Sequence, residues 1–173
     1  MNAEPTLLLW DIDGTLVCTG KAGELALGQA LERCFGVRGS IDQVDYRGRT
    51  DRRIGEMLLE VHGIERSPAH LHDFMECYLG LLAEELPRRA GKVHAGILDI
   101  LEMSRERPGF LNALLTGNLE RGAKLKLEQY RLWHYFEFGA YADDSSNRNE
   151  LGPVALRRAE EKRGIALSRS GWW

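Results

Sequence analysis

The chain has 173 residues, 23 basic and 26 acidic side chains and a formal net charge of -3. That length suits one domain, or one core carrying an insertion, and a 43% hydrophobic composition can fill a packed interior. The near-neutral balance without a basic block excludes nucleic acid and an anionic membrane as main partners. No apolar run nears the ~18 residues that span a bilayer. An acid and no basic residue precede the first apolar stretch, which argues against a signal peptide. Cys18, Cys34 and Cys77 are widely spaced without a CxxC, and they read as reduced thiols of a cytoplasmic protein.

Residues 6–12, TLLLWDI, form a short apolar run that reads as a buried parallel strand ending at Asp11 and Gly14. From Gly23 to Phe35, Leu25, Leu27, Ala30, Leu31 and Cys34 keep helical spacing, with Gly36 as the stop. Residues 37–51 read as a loop or short turn. Arg52 to His62 predicts a helix burying Ile54, Met57, Leu58 and Val61, with Gly63 at its end. Ser67 and Pro68 open another helix, reaching about Leu86. A helix over Gly96–Arg105, a strand over Phe110–Leu115, a helix through Ala123, Leu127 and Tyr130, a third strand over 135–142 and a helix over Pro153–Lys162 complete the pattern. Strands separated by helices predict an α/β fold with a parallel sheet. The first connection, about residues 17–91, exceeds what one crossover needs and reads as an inserted all-helical module.

Ligand sites in open α/β sheets lie at the carboxyl ends of strands. Three polar clusters fall there: Asp11 to Thr15, Thr116-Gly117-Asn118, and Asp143-Asp144 with Arg148 beyond. Asp11 and Asp13 repel unless a cation or shared proton offsets them, and Mg²⁺ is the usual cation when phosphate is the substrate. Gly14 lets the backbone turn and present N–H groups to an anion. Thr116 and the Gly117 and Asn118 amides can bind phosphate oxygens at a helix start, and Arg148 can neutralise a transferring phosphoryl group. Plainer readings stand beside these. The two Asp residues would cap a turn, Thr-Gly-Asn would cap a helix, Arg148 would be a solvated surface residue, and Cys18 a small buried one. The five histidines show no metal spacing beyond His70-x-His72, a polar helix face.

With these residues assembled, the chain resembles the haloacid dehalogenase-like hydrolases, phosphatases of the phosphoglycolate phosphatase type in particular. DIDGTL at 11–16 matches the family's first motif and LLTGN at 114–118 its second, while VHAG at 93–96 resembles the return from an inserted cap into the core. The resemblance implies a Rossmann-like core of residues 1–16 and 92–173 with a helical cap over 17–91. It implies Asp11 as nucleophile and Mg²⁺ ligand, and Asp13 as acid, base and second metal contact. Thr116, Gly117, Asn118 and Gly14 would form the phosphoryl pocket. GRTD at 48–51 resembles a cap segment that would bring Arg49 to the substrate. The third motif's Lys is matched by Arg148, with Lys124 the weaker candidate. The fourth motif, acids at the end of a further strand, has no counterpart in the closing GIALSRSGWW.

The expected activity is Mg²⁺-dependent hydrolysis of a small organophosphate through an aspartyl-phosphate. The competing reading is a catalytically impaired or shortened relative acting as a binding module. Dehalogenation is disfavoured because Asp13 supplies an acid and base suited to phosphate. A first strand with an open far edge would invite a homodimer, or cover by Trp172 and Trp173.

Overall fold

The computed structural model describes residues 6–164 of the chain. In chain order the elements are β1 (Thr6–Trp10), β2 (Val17–Cys18), α1 (Ala22–Phe35), α2 (Asp51–Val61), α3 (Pro68–Glu85), β3 (Lys92–Val93), α4 (Ile97–Glu106), β4 (Phe110–Leu115), α5 (Glu120–Gln129), β5 (Gly139–Ala140) and α6 (Leu151–Arg163). Strands β1, β4 and β5 form a parallel sheet in that spatial order, with Thr6 opposite Phe110 and Trp10 opposite Leu114. The fold is α/β, as the alternation of strands and helices predicts.

Side chains alternate across this sheet. Trp10 and Leu114 pack with Ile97 and Leu101 of α4 and Ala123 and Leu127 of α5. Leu9 and Leu115 face the other way, against Leu151 and Ala155 of α6. Both faces are therefore covered by helices, which is why the strands are almost wholly apolar, Asn112 of β4 being the exception. One polar chain crosses this interior. The Trp10 indole donates to Asn112 Oδ1 at 3.0 Å, Asn112 Nδ2 donates to Ser104 Oγ at 2.7 Å, and Ser104 Oγ donates to Leu101 O at 2.9 Å. Each buried polar side chain in it has a partner.

Helices α1, α2 and α3 have their own interior, built on Leu27, Leu31, Leu58, Phe74, Tyr78 and Leu82. Ser67 caps α3 by accepting from His70 N at 3.2 Å, with Pro68 in the first turn. Gly36 ends α1 at φ 66. The chain enters and leaves this helical module through a short antiparallel ribbon, β2 with β3, in which Val17 pairs with Val93 and Cys18 with Lys92. Two-residue strands carry no readable period, so the sequence did not announce them.

The third strand is shorter than its sequence suggests. Of residues 135–142 only Gly139 and Ala140 join the sheet, because Trp133–Tyr135 form a 3-10 turn that buries Tyr135 and Phe136. A Cβ at Gly139 would lie 2.7 Å from Leu114 Cβ, so only glycine lets the strands meet there. Val61, expected on the buried face of its helix, is 51% exposed, and Leu25, which keeps the helical spacing of α1, is 38% exposed. Among the described residues β1 is bonded on one side only; Trp172 and Trp173, expected to cover it, lie outside them. No helix among the described residues is long and apolar enough to cross a membrane.

Candidate active site

Strand β1 stops at Trp10, and the chain folds tightly over the buried Ile12, whose carbonyl accepts from Leu16 N at 3.0 Å and Val17 N at 3.1 Å. Gly14 takes φ 78 in this turn and donates to Val17 O at 2.9 Å. With Ile12 anchored inward, the flanking Asp11 and Asp13 both line one cleft of about 540 Å³. Asp11 Oδ1 accepts from Ile12 N at 2.8 Å, and its Oδ2 lies 2.5 Å from Nη2 of Arg148. Arg148 begins the 3-10 turn Arg148–Glu150 that leads into α6, a turn capped by the Asn147 side chain.

Asp13 is held by a second cation. Lys126 Nζ lies 2.7 Å from Asp13 Oδ2 and 2.6 Å from Asn118 Oδ1, and Asn118 Nδ2 donates to the same Asp13 oxygen at 2.9 Å. Enclosure in the cleft pushes the Asp13 carboxyl up, but Lys126 and the Asn118 hydrogen bond outweigh it and hold it below the usual range. Lys126 is only 4% exposed. Burial pulls its ammonium down, and the carboxylates of Asp13, Asp51 and Asp11 more than restore it. Thr116, fully buried at the end of β4, is fixed by its N–H to Ala140 O, and its hydroxyl accepts from Asn118 N at 3.3 Å and Asn118 Nδ2 at 2.8 Å. The opposite wall of the cleft belongs to the helical module and includes Lys21, Glu24, Tyr46, Arg47 and Arg49.

The sequence profile described as haloacid dehalogenase-like hydrolase matches residues 8–170. The chain belongs to the haloacid dehalogenase-like hydrolase family. A comparison with curated protein sequences finds no significant match. Among solved structures the fold is similar to CbbY from Rhodobacter sphaeroides in complex with phosphate, at 17% identity over 90% of this chain and 73% of that one, with a TM-score of 0.73. A hydrolase from Pseudomonas syringae matches at 15% identity over 90% of this chain and 70% of that one, with a TM-score of 0.70. A predicted phosphoglycolate phosphatase from Haemophilus somnus 129PT matches at 17% identity over 95% and 74%, with a TM-score of 0.63.

Within this hydrolase fold the residues singled out in the sequence converge. Asp11, Asp13, Gly14, Gly117, Asn118, Arg148 and Arg49 line the same cleft, with Thr116 buried behind Asn118. Arg49 is drawn back, its Nε donating to Asp45 O at 2.8 Å and its Nη2 lying 3.3 Å from Asp45 Oδ2. The lysine candidate is displaced by two positions. Lys124 points outward, 53% exposed and 3.8 Å from Glu128, whereas Lys126 was overlooked. Its signal was available, since on a helical wheel Lys126 shares the stripe of Gly122, Ala123 and Leu127. Cys18, read as buried, is exposed and lines the cleft. Asp143 and Asp144 have other work. Asp143 Oδ2 accepts from Glu120 N at 2.6 Å, and Asp144 is clamped by both Arg158 nitrogens at 2.7 Å.

Two carboxylates at a strand end are a fitting donor set for Mg²⁺, which takes one or two protein carboxylates and completes its shell with water and phosphate oxygens. Among the described residues no group of three His, Cys, Asp or Glu side chains gathers. Asp11 would hold it through a carboxylate oxygen and Asp13 through its backbone carbonyl, with Arg148 already on Oδ2 of Asp11 and Lys126 on Oδ2 of Asp13.

Proposed function

We propose that the chain hydrolyses a phosphomonoester of a small organic alcohol, with residues 17–91 serving as a cap over the site. The observation that carries this reading is the pair Asp11 and Asp13 at the end of β1, each in contact with its own cation, Arg148 at 2.5 Å and Lys126 at 2.7 Å. Like charges so placed suit a substrate that brings more negative charge only if cations stand ready to receive it. The solved structure of CbbY with phosphate, and another of a CbbY variant with xylulose-(1,5)bisphosphate, show ligands of this class in proteins of similar fold.

Asp11 is the nucleophile: its Oδ2, once released by Arg148, attacks phosphorus and the ester oxygen leaves, giving an aspartyl-phosphate. Arg148 moves from Asp11 Oδ2 to the phosphoryl oxygens as that carboxylate forms its bond. Asp13 gives a proton to the leaving oxygen and then takes one from the water that cleaves the acyl phosphate. Lys126 and Asn118 fix Oδ2 of Asp13, which leaves Oδ1 for the proton. Lys126 favours the ionised form, suited to the second step; the phosphate dianion beside Asp13 raises its proton affinity for the first. Mg²⁺, held by Asp11 and Asp13, would supply further neutralisation of phosphoryl charge. The partners are a small phosphorylated substrate and a second copy of the chain along the edge of β1 that is unpaired among the described residues.

The Arg148–Asp11 contact also favours a second reading, an oxyanion-binding module without turnover, because it occupies an oxygen of the nucleophile. Hydrolysis of an aryl phosphate, with and without Mg²⁺ and beside Asp11→Asn, separates the two. Metal-dependent turnover abolished in the variant supports the hydrolase. Folded protein that binds tungstate yet releases no phosphate supports the module.

A further inference from the structure

The helical module and the core meet by main-chain contact at the second motif. Asp51 N donates to Gly117 O at 2.7 Å, and Asp51 Oδ2 accepts from Leu119 N at 2.9 Å. One residue of the module therefore closes both ends of the Gly117–Leu119 turn. A Cβ at Gly117 would lie 2.4 Å from Arg49 O, so only glycine admits this approach. Beside it the fully buried Thr50 donates its hydroxyl to Ser146 O at 2.8 Å and accepts from Arg53 N at 3.2 Å. The start of α2 is thus tied to two core loops at once.

The tie bears on the catalytic carboxylates through α5. That helix has no side-chain cap of its own at Leu119. Its first amides are satisfied from afar, Leu119 N by Asp51 and Glu120 N by Asp143. Lys126, about two turns further on, is buried beside the module, where a Cβ on Gly23 of α1 would lie 3.6 Å from its Nζ and 3.7 Å from the Tyr78 hydroxyl of α3. Burial and the nearby carboxylates of Asp51 and Asp13 push the Tyr78 phenol well above its ordinary range. Asp51 itself is 7% exposed. A buried carboxylate costs more than an apolar side chain of similar volume unless its hydrogen bonds are used.

We propose that Asp51 is a positioning residue of the hydrolytic site, locking the helical module onto the Gly117–Leu119 turn and so setting Asn118 and the start of α5, the helix whose Lys126 joins Asn118 in holding Asp13. This rests on the function argued above, and it adds a residue that acts through others rather than on substrate. Closure of the module and assembly of the Asp13 environment become one event.

Asp51→Ala, Asp51→Asn and Gly117→Ala, compared with the wild-type chain by amide hydrogen exchange and aryl phosphate kinetics, test it. In Asp51→Ala the peptides covering 116–120 exchange faster by about tenfold or more, while peptides from β4 and α6 keep their rates. In the same variant kcat falls by about tenfold or more, with KM for a small aryl phosphate held within about threefold. Asn keeps an acceptor for Leu119 N, so Asp51→Asn restores exchange and kcat to within about threefold of wild type. Gly117→Ala reproduces the faster exchange at 116–120, because its Cβ displaces the Arg49 carbonyl.

Unchanged exchange at 116–120 in Asp51→Ala overturns the lock, and a uniform rise over the whole chain assigns the residue to general stability instead. Altered local exchange with unchanged kcat overturns the positioning role. Should the wild-type chain release no phosphate, the hydrolase reading fails on its own. Exchange at 116–120 then decides the lock by itself, and equal rates there in Asp51→Ala and wild type overturn it.

Discussion

Arg148 Nη2 lies 2.5 Å from Asp11 Oδ2, across a sequence separation of 137 residues. Each group is about one-third exposed, so the contact sits at the mouth of the cleft rather than in the core. A guanidinium here can release one oxygen and accept two others in the same plane. Arg148→Ala should lower kcat/KM for an aryl phosphate by about a hundredfold or more, the scale of losing one charged stabiliser. Arg148→Lys should recover part of that loss. Steady-state kinetics decide, and an Ala variant with wild-type kcat/KM removes Arg148 from the site.

Lys126 and Lys124 make a control pair on one helix. Lys126→Met leaves Asp13 and the buried Asp51 without their shared cation; because Asp13 is half-exposed, the loss lies between those of exposed and buried pairs, about 1–3 kcal/mol. Lys124→Met removes an exposed group 3.8 Å from Glu128, with a stability change within about 0.5 kcal/mol. Urea denaturation of the two variants at neutral pH should separate them clearly. Equal midpoints would refute the assignment.

Acidity should reveal Asp51 without any substrate. Burial pushes its carboxyl up to about 6; Lys126 and the Leu119 N–H oppose this, while Asp13 and Asp143 add to it. An unfolded Asp ionises near ~3.9. Below that value the group is protonated in both states and costs nothing. As pH rises the unfolded chain loses its proton first, so stability falls until the folded group also ionises, and it is level above that. Asp51→Asn lacks this titration. Its stability relative to wild type should therefore rise by roughly 3 kcal/mol between about pH 4 and pH 7. Denaturation midpoints of the two proteins across that range test it, and a constant difference would contradict the prediction.

Arg49 stands on the module side of the cleft with its guanidinium tied to Asp45, an exposed pair worth about 1 kcal/mol at most. Such a tie yields readily to an anionic substrate. Arg49→Ala should raise KM for a substrate with a second negative group by about tenfold, and for a neutral aryl phosphate by far less. Equal effects on both substrates take Arg49 out of the substrate site.

The parts of this molecule that were legible in the sequence are those that repeat or punctuate. The apolar run at Leu7 to Trp10, the stops at Gly36 and Gly63, and the Ser67-Pro68 start all follow from periodicity and capping. Asp11, Asp13 and Asn118 were found because strand ends concentrate polar residues. Lys126 was hidden because a charged residue on a helix is read as solvated until the stripe it shares with Ala123 and Leu127 is traced. Asp51 stands in GRTD with no local sign of its role, since its partners Gly117 and Leu119 lie far along the chain and no local pattern announces a tertiary cap. The third strand was overestimated because aromatic alternation in Tyr135 to Phe138 serves packing around a turn equally well.

Trp10 and Asn112, bonded across the sheet, are separated by 102 residues. During synthesis β1 leaves the ribosome with no β4 to pair with, and at roughly 5–20 residues per second its partner follows on the order of 10 s later. Closing so long a loop is slow unless the intervening chain has already shortened it. The helices between, with an interior of their own, can fold in that interval and draw β1 and β4 together. The inserted segment then serves the nascent core as an internal scaffold, and destabilising it at Leu58 or Phe74 should show first as aggregation of newly made chains.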